Sequence, residues 1–149
     1  MNALTLLDRF RESNRRRVLI VEDCQPDAEL LSMKLKRMGI ESETVTGLSE
    51  ALDKLSTDKF DLVIIDMLLK NHDYNGLHVG LVIQSKYGDV PIVITSGESE
   101  SESIHTAAKA FPFVPKPIPD SFLRSALRIG ASVSAFGLVE AFNFTRALT

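Results

Sequence analysis

Residues 62–66 read Leu62-Val63-Ile64-Ile65-Asp66, a run of aliphatic residues that ends in a carboxylate. A continuous apolar run of this length is typical of a strand buried on both faces of a parallel sheet. Two other runs share the pattern, residues 18–21 before Glu22 and residues 92–94 before Thr95. Each run predicts a central strand of the sheet with a polar residue directly after its last aliphatic residue.

Short apolar runs alternate with amphipathic segments from residue 17 to about residue 130. This alternation predicts an α/β fold with a doubly wound, five-stranded parallel sheet covered by helices on both faces. Residues 41–46 alternate in polarity instead, and so predict an edge strand. The predicted strands are, in chain order, 17–22, 41–46, 61–65, 91–95 and 112–115.

The segments between these strands predict helices. The first helix has one apolar stripe and is closed by Gly39. Its stripe consists of Ala28, Leu31, Leu35 and Met38. Residues 48–55 predict a shorter helix with leucines on one face. Residues 77–86 are apolar nearly all round and predict a well-packed third helix.

The last two predicted helices differ in their apolar content. The fourth begins with the alternating Glu and Ser of residues 98–103, which lack an apolar stripe, so we expect it to be mobile. The fifth begins at Pro119-Asp120. Its apolar residues are Phe122, Leu123, Ala126, Leu127 and Ile129.

Two flanks lie outside the repeat of strands and helices. Residues 1–16 place Leu4, Leu7 and Phe10 at helical spacing and predict an amphipathic N-terminal helical extension. Residues 131–149 are rich in apolar side chains and predict a helical C-terminal extension without a separate output domain. One domain, residues 17–130, is predicted between them. The extensions either cover this domain or form a homodimer, and the sequence leaves both readings open.

The composition excludes several classes of protein. A chain of 149 residues with 44% hydrophobic residues suits one globular domain. Its net charge of −3 argues against binding nucleic acid, which needs clustered Lys and Arg. Cys24 is the single cysteine, and no apolar stretch reaches the roughly 18 residues that span a membrane. We therefore expect a cytoplasmic protein without a membrane segment.

Polar residues follow the predicted strands at the edge where ligands bind in open parallel sheets. They are Glu22, Asp23, Asp66, Ser96 and Lys116. Converging carboxylates repel each other unless a cation is bound, and Mg²⁺ prefers carboxylate and water oxygens. Such a site also attracts a phosphoryl oxygen, with the lysine and the hydroxyl holding the others. The set predicts phosphate chemistry on an aspartate.

Each of these residues also has an ordinary structural explanation. Asp23 can help to cap the helix that follows it, and Glu22 and Asp66 can be solvated carboxylates. Ser96 can be part of a turn, and Lys116 can be an exposed lysine. Their joint occurrence at four strand ends of one sheet favours a shared site.

At these positions the sequence resembles the receiver domain of two-component response regulators, a CheY-like family with a flavodoxin-like (βα)5 fold. The resemblance runs from about Val18 to Ile129. Residues 18–23 resemble the first strand and acidic pair of that family, and Asp66 matches its phosphorylated aspartate. The other matches are Ser96-Gly97 to its hydroxyl residue and small neighbour, Phe113 to its aromatic switch, and Val114-Pro115-Lys116-Pro117 to its lysine and cis-proline element.

The resemblance implies that Asp66 accepts a phosphoryl group from a histidine kinase or a phosphotransfer protein. It implies Mg²⁺ bound by Asp23, Asp66 and the backbone carbonyl of Leu68, with Glu22 acting partly through water. Ser96 and Lys116 would bind phosphoryl oxygens, and Phe113 would turn inward as Ser96 moves. Such a protein is not an enzyme in the usual sense, although it assists its own phosphorylation and dephosphorylation. A stand-alone receiver would signal through changed contacts with a downstream protein.

The chain departs from the family pattern after the phosphoacceptor. Lys70 stands where the family commonly has proline, and Gly76 comes two residues late, so the loop of residues 70–75 is predicted to be enlarged. Its His72 and Asp73 lack further ligands nearby, which favours a solvated loop over a second metal site. Leu68 and Glu98 occupy positions that tune phosphoryl lifetime in the family, and aliphatic Leu68 predicts a long-lived phosphorylated state.

Two other functions remain open. The first is a receiver-like scaffold that signals without phosphorylation. The altered loop after Asp66 is the reason for retaining this alternative. The second is a small Mg²⁺-dependent phosphatase with Asp66 as nucleophile. Enzymes of the haloacid dehalogenase type need a second acid two residues after the nucleophile, and Leu68 stands there.

Overall fold

A computed structural model describes residues 16–70, 74–97 and 102–128 of the chain. They form a five-stranded, all-parallel sheet in the order β2-β1-β3-β4-β5. The strands are β1 (Arg17–Val21), β2 (Glu41–Val45), β3 (Leu62–Asp66), β4 (Ile92–Ser96) and β5 (Phe113–Pro115). The helices are α1 (Gln25–Arg37), α2 (Leu48–Thr57), α3 (Gly76–Lys86), α4 (Glu102–Ala110) and α5 (Asp120–Arg128).

The sheet has the predicted arrangement of central and edge strands. The aliphatic strands β1, β3 and β4 lie inside the sheet, and β3 and β4 are buried along their whole length. The alternating strand β2 lies at one edge, where only Val45 is buried. The doubly wound fold is therefore confirmed, although β3 and β4 begin and end one residue later than predicted.

Two core layers cover the two faces of the sheet. Alternate residues of β1 point to opposite faces, so Leu19 and Val21 lie in one layer and Val18 and Ile20 in the other. The first layer includes residues of α2, α3 and α4, and the second includes residues of α1 and α5. Helices on both faces explain why the central strands are apolar throughout.

Helix α1 packs through the predicted stripe. Ala28 and Leu35 are buried, and Leu31 and Met38 pack against the core layer that contains Leu35. The helix ends in a Schellman motif, in which the N–H of Ile40 donates to the Leu35 carbonyl and the N–H of Gly39 to the Lys36 carbonyl. Gly39 has φ +76°, the left-handed conformation that glycine adopts without strain.

Helix α3 packs through one face only. Val79, Gly80 and Ile83 are buried, whereas the side chain of Leu81 is 46% exposed. The predicted well-packed helix is therefore confirmed for the face that lies against the sheet, whereas Leu81 lies on the opposite face.

The ends of the domain are only partly described. Helix α5 begins at Asp120, and Phe122, Leu123, Ala126 and Leu127 are buried as predicted. The two predicted extensions, Ile129, the start of the fourth helix before residue 102 and the loop centre with His72 and Asp73 lie outside the described residues. None of the described helices is long and apolar enough to cross a membrane.

Candidate functional site

The carboxyl ends of the strands bring four of the predicted polar residues to one edge of the sheet. Glu22 follows β1, Asp66 ends β3, Ser96 ends β4 and Lys116 follows β5. Glu22, Asp66 and Ser96 are buried, with 5%, 6% and 0% of their surfaces exposed. All-parallel strands point their carboxyl ends the same way, which is why residues distant in sequence share this edge.

Lys116 is the centre of the site. Its ammonium donates hydrogen bonds to Glu22 Oε1 at 2.6 Å, Asp27 Oδ2 at 2.8 Å and Asp66 Oδ2 at 3.0 Å. Its backbone N–H donates to the Ser96 carbonyl at 2.9 Å, and the Lys116–Pro117 peptide is cis. The lysine is thus tied to β4 through its backbone and to the carboxylates through its side chain.

The Asp66 carboxylate is held through both oxygens. Oδ2 accepts from Lys116, and Oδ1 accepts from the backbone N–H of Leu68 at 3.1 Å. The residue after β3 is bonded to β4, because the N–H of Met67 donates to the Thr95 carbonyl at 2.8 Å. These bonds fix the carboxylate at the mouth of the crevice.

The acidic cluster differs in one member from the predicted set. Carboxylate oxygens of Glu22, Asp27 and Asp66 lie within 4.8 Å of one another, an arrangement that could hold a metal ion. Asp27 lies in the first turn of α1 and was not predicted. Asp23, which was predicted as a metal ligand, is half-buried in the turn after β1 and is outside this group. The pattern of strand ends did not mark Asp27, because this residue lies in the first turn of the helix that follows β1 rather than at the end of the strand.

Burial and mutual contact perturb the titration of these groups. Burial, followed by a hydrogen bond with Asp66, raises the pKa of Glu22 to about 8. The hydrogen bond from Lys116 lowers the pKa of Asp27. Burial alone would lower the pKa of Lys116, but its hydrogen bonds with the three carboxylates outweigh burial and raise the pKa. Lys116 therefore stays charged, while Glu22 holds its proton at neutral pH.

The donor set fits a hard divalent cation. Carboxylate oxygens are the ligands that Mg²⁺ prefers. Oε2 of Glu22 is buried and has no hydrogen-bond donor among the described residues. A buried carboxyl oxygen in this place takes either a proton, shared with Asp66, or a cation. The site thus has a chemical reason to bind a metal ion.

The remaining predicted residues surround the cluster. Phe113 is buried in the first core layer with 7% exposure, and Ser96 is fully buried at the end of β4. Leu68 exposes 38% of its surface, and its N–H rather than its carbonyl is the atom seen to contact Asp66. The loop of residues 70–75 contacts the start of α2 through Tyr74, whose hydroxyl accepts a hydrogen bond from the N–H of Leu48 at 3.3 Å.

A family of known proteins matches this fold and site. The sequence model of the family described as "Response regulator receiver domain" matches residues 18–128. This chain belongs to that family. Receiver domains are signalling domains, and this receiver has their CheY-like fold with an acidic cluster at the carboxyl-terminal edge of its sheet.

Relatives and solved structures agree with the family. The receiver is 32% identical over 123 residues to the response regulator protein PilR of Pseudomonas aeruginosa, covering 78% of this chain and 27% of PilR. The chain spans about a quarter of the length of PilR and of the NtrX-like regulators that it also matches. The Thermotoga maritima regulator TrrA, solved in complex with Mg²⁺ and BeF, is 29% identical with a TM-score of 0.64, covering 76% of this chain and 96% of TrrA. TrrA was also solved in complex with the histidine kinase ThkA, with a TM-score of 0.63, 29% identity and the same coverage of both chains.

Proposed function

We propose that Asp66 accepts a phosphoryl group from a histidine kinase or a phosphotransfer protein, and that the phosphorylated receiver signals through changed contacts with a downstream protein. The observation that carries this proposal is the Asp66 carboxylate held between the Lys116 ammonium at 3.0 Å and the Leu68 N–H at 3.1 Å. The complex of the relative TrrA with a histidine kinase supports the class of donor.

In the proposed reaction a carboxylate oxygen of Asp66 attacks phosphorus. The new bond joins phosphorus to that oxygen, the bond from phosphorus to the donor histidine nitrogen breaks, and an acyl phosphate results. Lys116 offsets the negative charge of the transferred group, and the buried Ser96 hydroxyl offers a hydrogen bond to one of its oxygens. The fixed carboxylate means that little reorganisation is needed before attack.

The same residues are suited to hold Mg²⁺. When bound, the ion neutralises charge on the transferred phosphoryl group. The proposed ligands are Glu22 and Asp66, together with Asp23 and the Leu68 carbonyl from the sequence and Asp27 from the structure. The complex of TrrA with Mg²⁺ supports this choice of ion. Ligand exchange between Lys116 and the ion is expected, because both compete for the same oxygens.

The proposed output is a rearrangement that starts at Ser96 and Phe113. Ser96 would move toward the phosphoryl group, and Phe113, which is 7% exposed in this structure, would turn further inward as Ser96 moves. The prediction of a receiver that acts without an output domain, and of a homodimer through the extensions, stays a prediction. Light scattering of the full chain and of a variant ending at residue 130 tests the homodimer.

Labelling with acetyl phosphate tests the phosphorylation site. Incubation with acetyl phosphate and Mg²⁺ is expected to add one phosphoryl mass, seen by intact-protein mass spectrometry and removed by hydroxylamine. Asp66→Asn should abolish the adduct, while Asp53→Asn on the exposed face of α2 should retain it. An unlabelled wild type would contradict the proposal and favour a scaffold. Rapid turnover of a phosphate ester would favour a phosphatase.

A further inference from the structure

The segment that carries Lys116 is held by the sheet at its start. The N–H of Lys116 donates to the Ser96 carbonyl of β4 at 2.9 Å, and the segment then runs through Pro117 to Ile118 before α5 begins. Only Pro117 separates Lys116 from Ile118, and its ring restricts the backbone angle φ to about −65°. A displacement at Ile118 is therefore passed on to the backbone of Lys116.

Lys34 of α1 holds the other end of this segment. Its ammonium donates to the Ile118 carbonyl at 2.5 Å and forms an ion pair with Asp120 at 3.2 Å. Among the described residues, no backbone N–H donates to that carbonyl. The side chain of Ile118 is buried in the second core layer, but burial is non-directional and leaves the orientation of a carbonyl open. The charged hydrogen bond from Lys34 fixes that orientation.

Helix α1 holds this segment through two residues on one of its faces. Asp27 and Lys34 are about two helical turns apart, so their side chains leave α1 on the same side. Asp27 accepts from the Lys116 ammonium at 2.8 Å, and Lys34 donates to the Ile118 carbonyl. The same Lys116 ammonium donates to Asp66 at 3.0 Å. Helix α1 therefore contacts the segment at the lysine that reaches Asp66 and again at Ile118.

We propose that Lys34 is a positioning residue for Lys116. By holding the Ile118 carbonyl it fixes the backbone from Lys116 to Ile118, and so keeps the Lys116 ammonium directed at Asp66. Fixed charges act on a transferred phosphoryl group without reorganising, so loss of the bond from Lys34 should slow the transfer although Lys116 is still present. This effect on the reaction rests on the proposed function, whereas the positioning of Lys116 does not.

Lysine side-chain NMR tests the positioning without phosphorylation. In protein labelled with ¹³C- and ¹⁵N-lysine, the Lys116 signals are those that disappear in Lys116→Met. Lys34→Met removes the ammonium and keeps most of the aliphatic stem, so it should shift the Lys116 ¹⁵Nζ and ¹³Cε signals and speed exchange of the ammonium protons with water. Unmoved Lys116 signals in Lys34→Met, with the fold confirmed by the amide spectrum, would overturn the proposal.

The matched control is Lys36→Met. Lys36 lies in the same last turn of α1 as Lys34, and its side chain is exposed. Both substitutions therefore remove one positive charge from the same end of the helix. Lys36→Met should leave the Lys116 signals in place, and an equal shift in the two variants would mean that loss of charge, rather than loss of the bond to Ile118, moves them.

A double-mutant cycle tests the effect on the reaction. Labelling by acetyl phosphate with Mg²⁺ should be roughly three- to tenfold slower in Lys34→Met than in wild type and unchanged in Lys36→Met. In a Lys116→Met background, Lys34→Met should change the remaining rate by less than about twofold, because a residue that acts only through Lys116 has nothing left to position. An unchanged rate in Lys34→Met, or equal slowing in both backgrounds, would contradict the role in the reaction.

The two experiments separate the positioning from the proposed function. A wild-type protein that is never labelled would contradict the proposed phosphorylation, while Lys116 signals that move only in Lys34→Met would still support the positioning. A labelled protein whose Lys116 signals and labelling rate are the same in Lys34→Met and wild type would contradict the positioning alone.

Discussion

The carboxyl of Glu22 makes the stability of the folded protein depend on pH. Its pKa is about 8 in the folded protein against 4.5 ordinarily, because burial disfavours the charged form. The folded state therefore binds one more proton than the unfolded chain between those two values. Stability that depends on this proton is present below about pH 4.5 and is lost as pH rises through about 8.

We accordingly predict that the free energy of unfolding of the metal-free protein falls by roughly 2 to 4 kcal/mol from about pH 5 to about pH 8. Glu22→Gln should flatten this dependence, and Asp53→Asn should not. Urea denaturation in the presence of EDTA measures it. The lowered pKa of Asp27 acts at lower pH and the raised pKa of Lys116 at higher pH, so neither interferes. A wild-type curve as flat as that of Glu22→Gln would contradict the prediction.

Leu68 is predicted to lengthen the lifetime of the proposed acyl phosphate. Its side chain is 38% exposed, beside the carboxylate that its N–H holds, and cannot orient a water molecule. Leu68→Asn supplies an amide that can, so dephosphorylation should become faster by roughly tenfold. Leu81→Asn, at another exposed leucine, is the matched control. Intact-protein mass spectrometry over time measures the rate at which the phosphoryl group is lost. Equal rates in wild type and Leu68→Asn would contradict this prediction. Glu98, the second tuning position, lies outside the described residues.

The acidic cluster shows what the sequence could predict at this scale. Glu22, Asp66, Ser96 and Lys116 were predictable because each lies at or directly after the end of a strand. Asp27 was not, because its distance from β1 depends on how the chain turns through Cys24 before α1 begins. A pattern that marks strand ends carries no information on the first turn of the next helix.

Helix α3 begins very close to the end of β3. A Cβ atom on Gly76 would lie 2.2 Å from the backbone oxygen of Asp66, and the N–H of Gly76 donates to the Met67 carbonyl at 2.9 Å. This contact explains the glycine at the start of α3, because the helix can begin beside Asp66 only if residue 76 has no side chain.

Gly76→Ala should therefore destabilise the protein by more than about 2 kcal/mol and slow labelling by acetyl phosphate, because the backbone of Asp66 must shift. Gly88→Ala is the control, since its added Cβ would meet only the Gln84 oxygen at 3.4 Å. Its cost should stay below about 1 kcal/mol. Urea denaturation compares the two variants, and similar losses in both would contradict the role of the close approach.

The limits of the strands show what the sequence could predict at the scale of elements. The aliphatic runs predicted β1, β3 and β4, because burial on both faces demands them. Polar Asp66 and Ser96 were placed after their strands, yet both belong to the ladder. Asp66 pairs with Thr95, and Ser96 pairs with Pro115. Strand ends are set by backbone pairing with a neighbour, which residue polarity alone does not reveal.

Binding of a cation at the acidic cluster should raise the free energy of unfolding of the whole domain. The cluster joins residues from β3, from α1 and from the segments after β1 and β5, so a cation there stabilises only the folded arrangement of those elements. The sequence predicted that Glu22, Asp66 and Lys116 share this edge, because the carboxyl ends of parallel strands meet at one edge of a sheet.

Mg²⁺ should therefore raise the melting temperature. A concentration ten times the dissociation constant contributes about 1.4 kcal/mol, equivalent to roughly 3 to 6 °C for a domain of this size. Asp66→Asn should weaken the effect, and K⁺ at equal ionic strength should not reproduce it. Differential scanning calorimetry with Mg²⁺, with EDTA and with K⁺ provides the comparison. An equal rise in wild type and Asp66→Asn would mean that the ion acts elsewhere on the surface, because the cluster would then have lost a ligand without consequence.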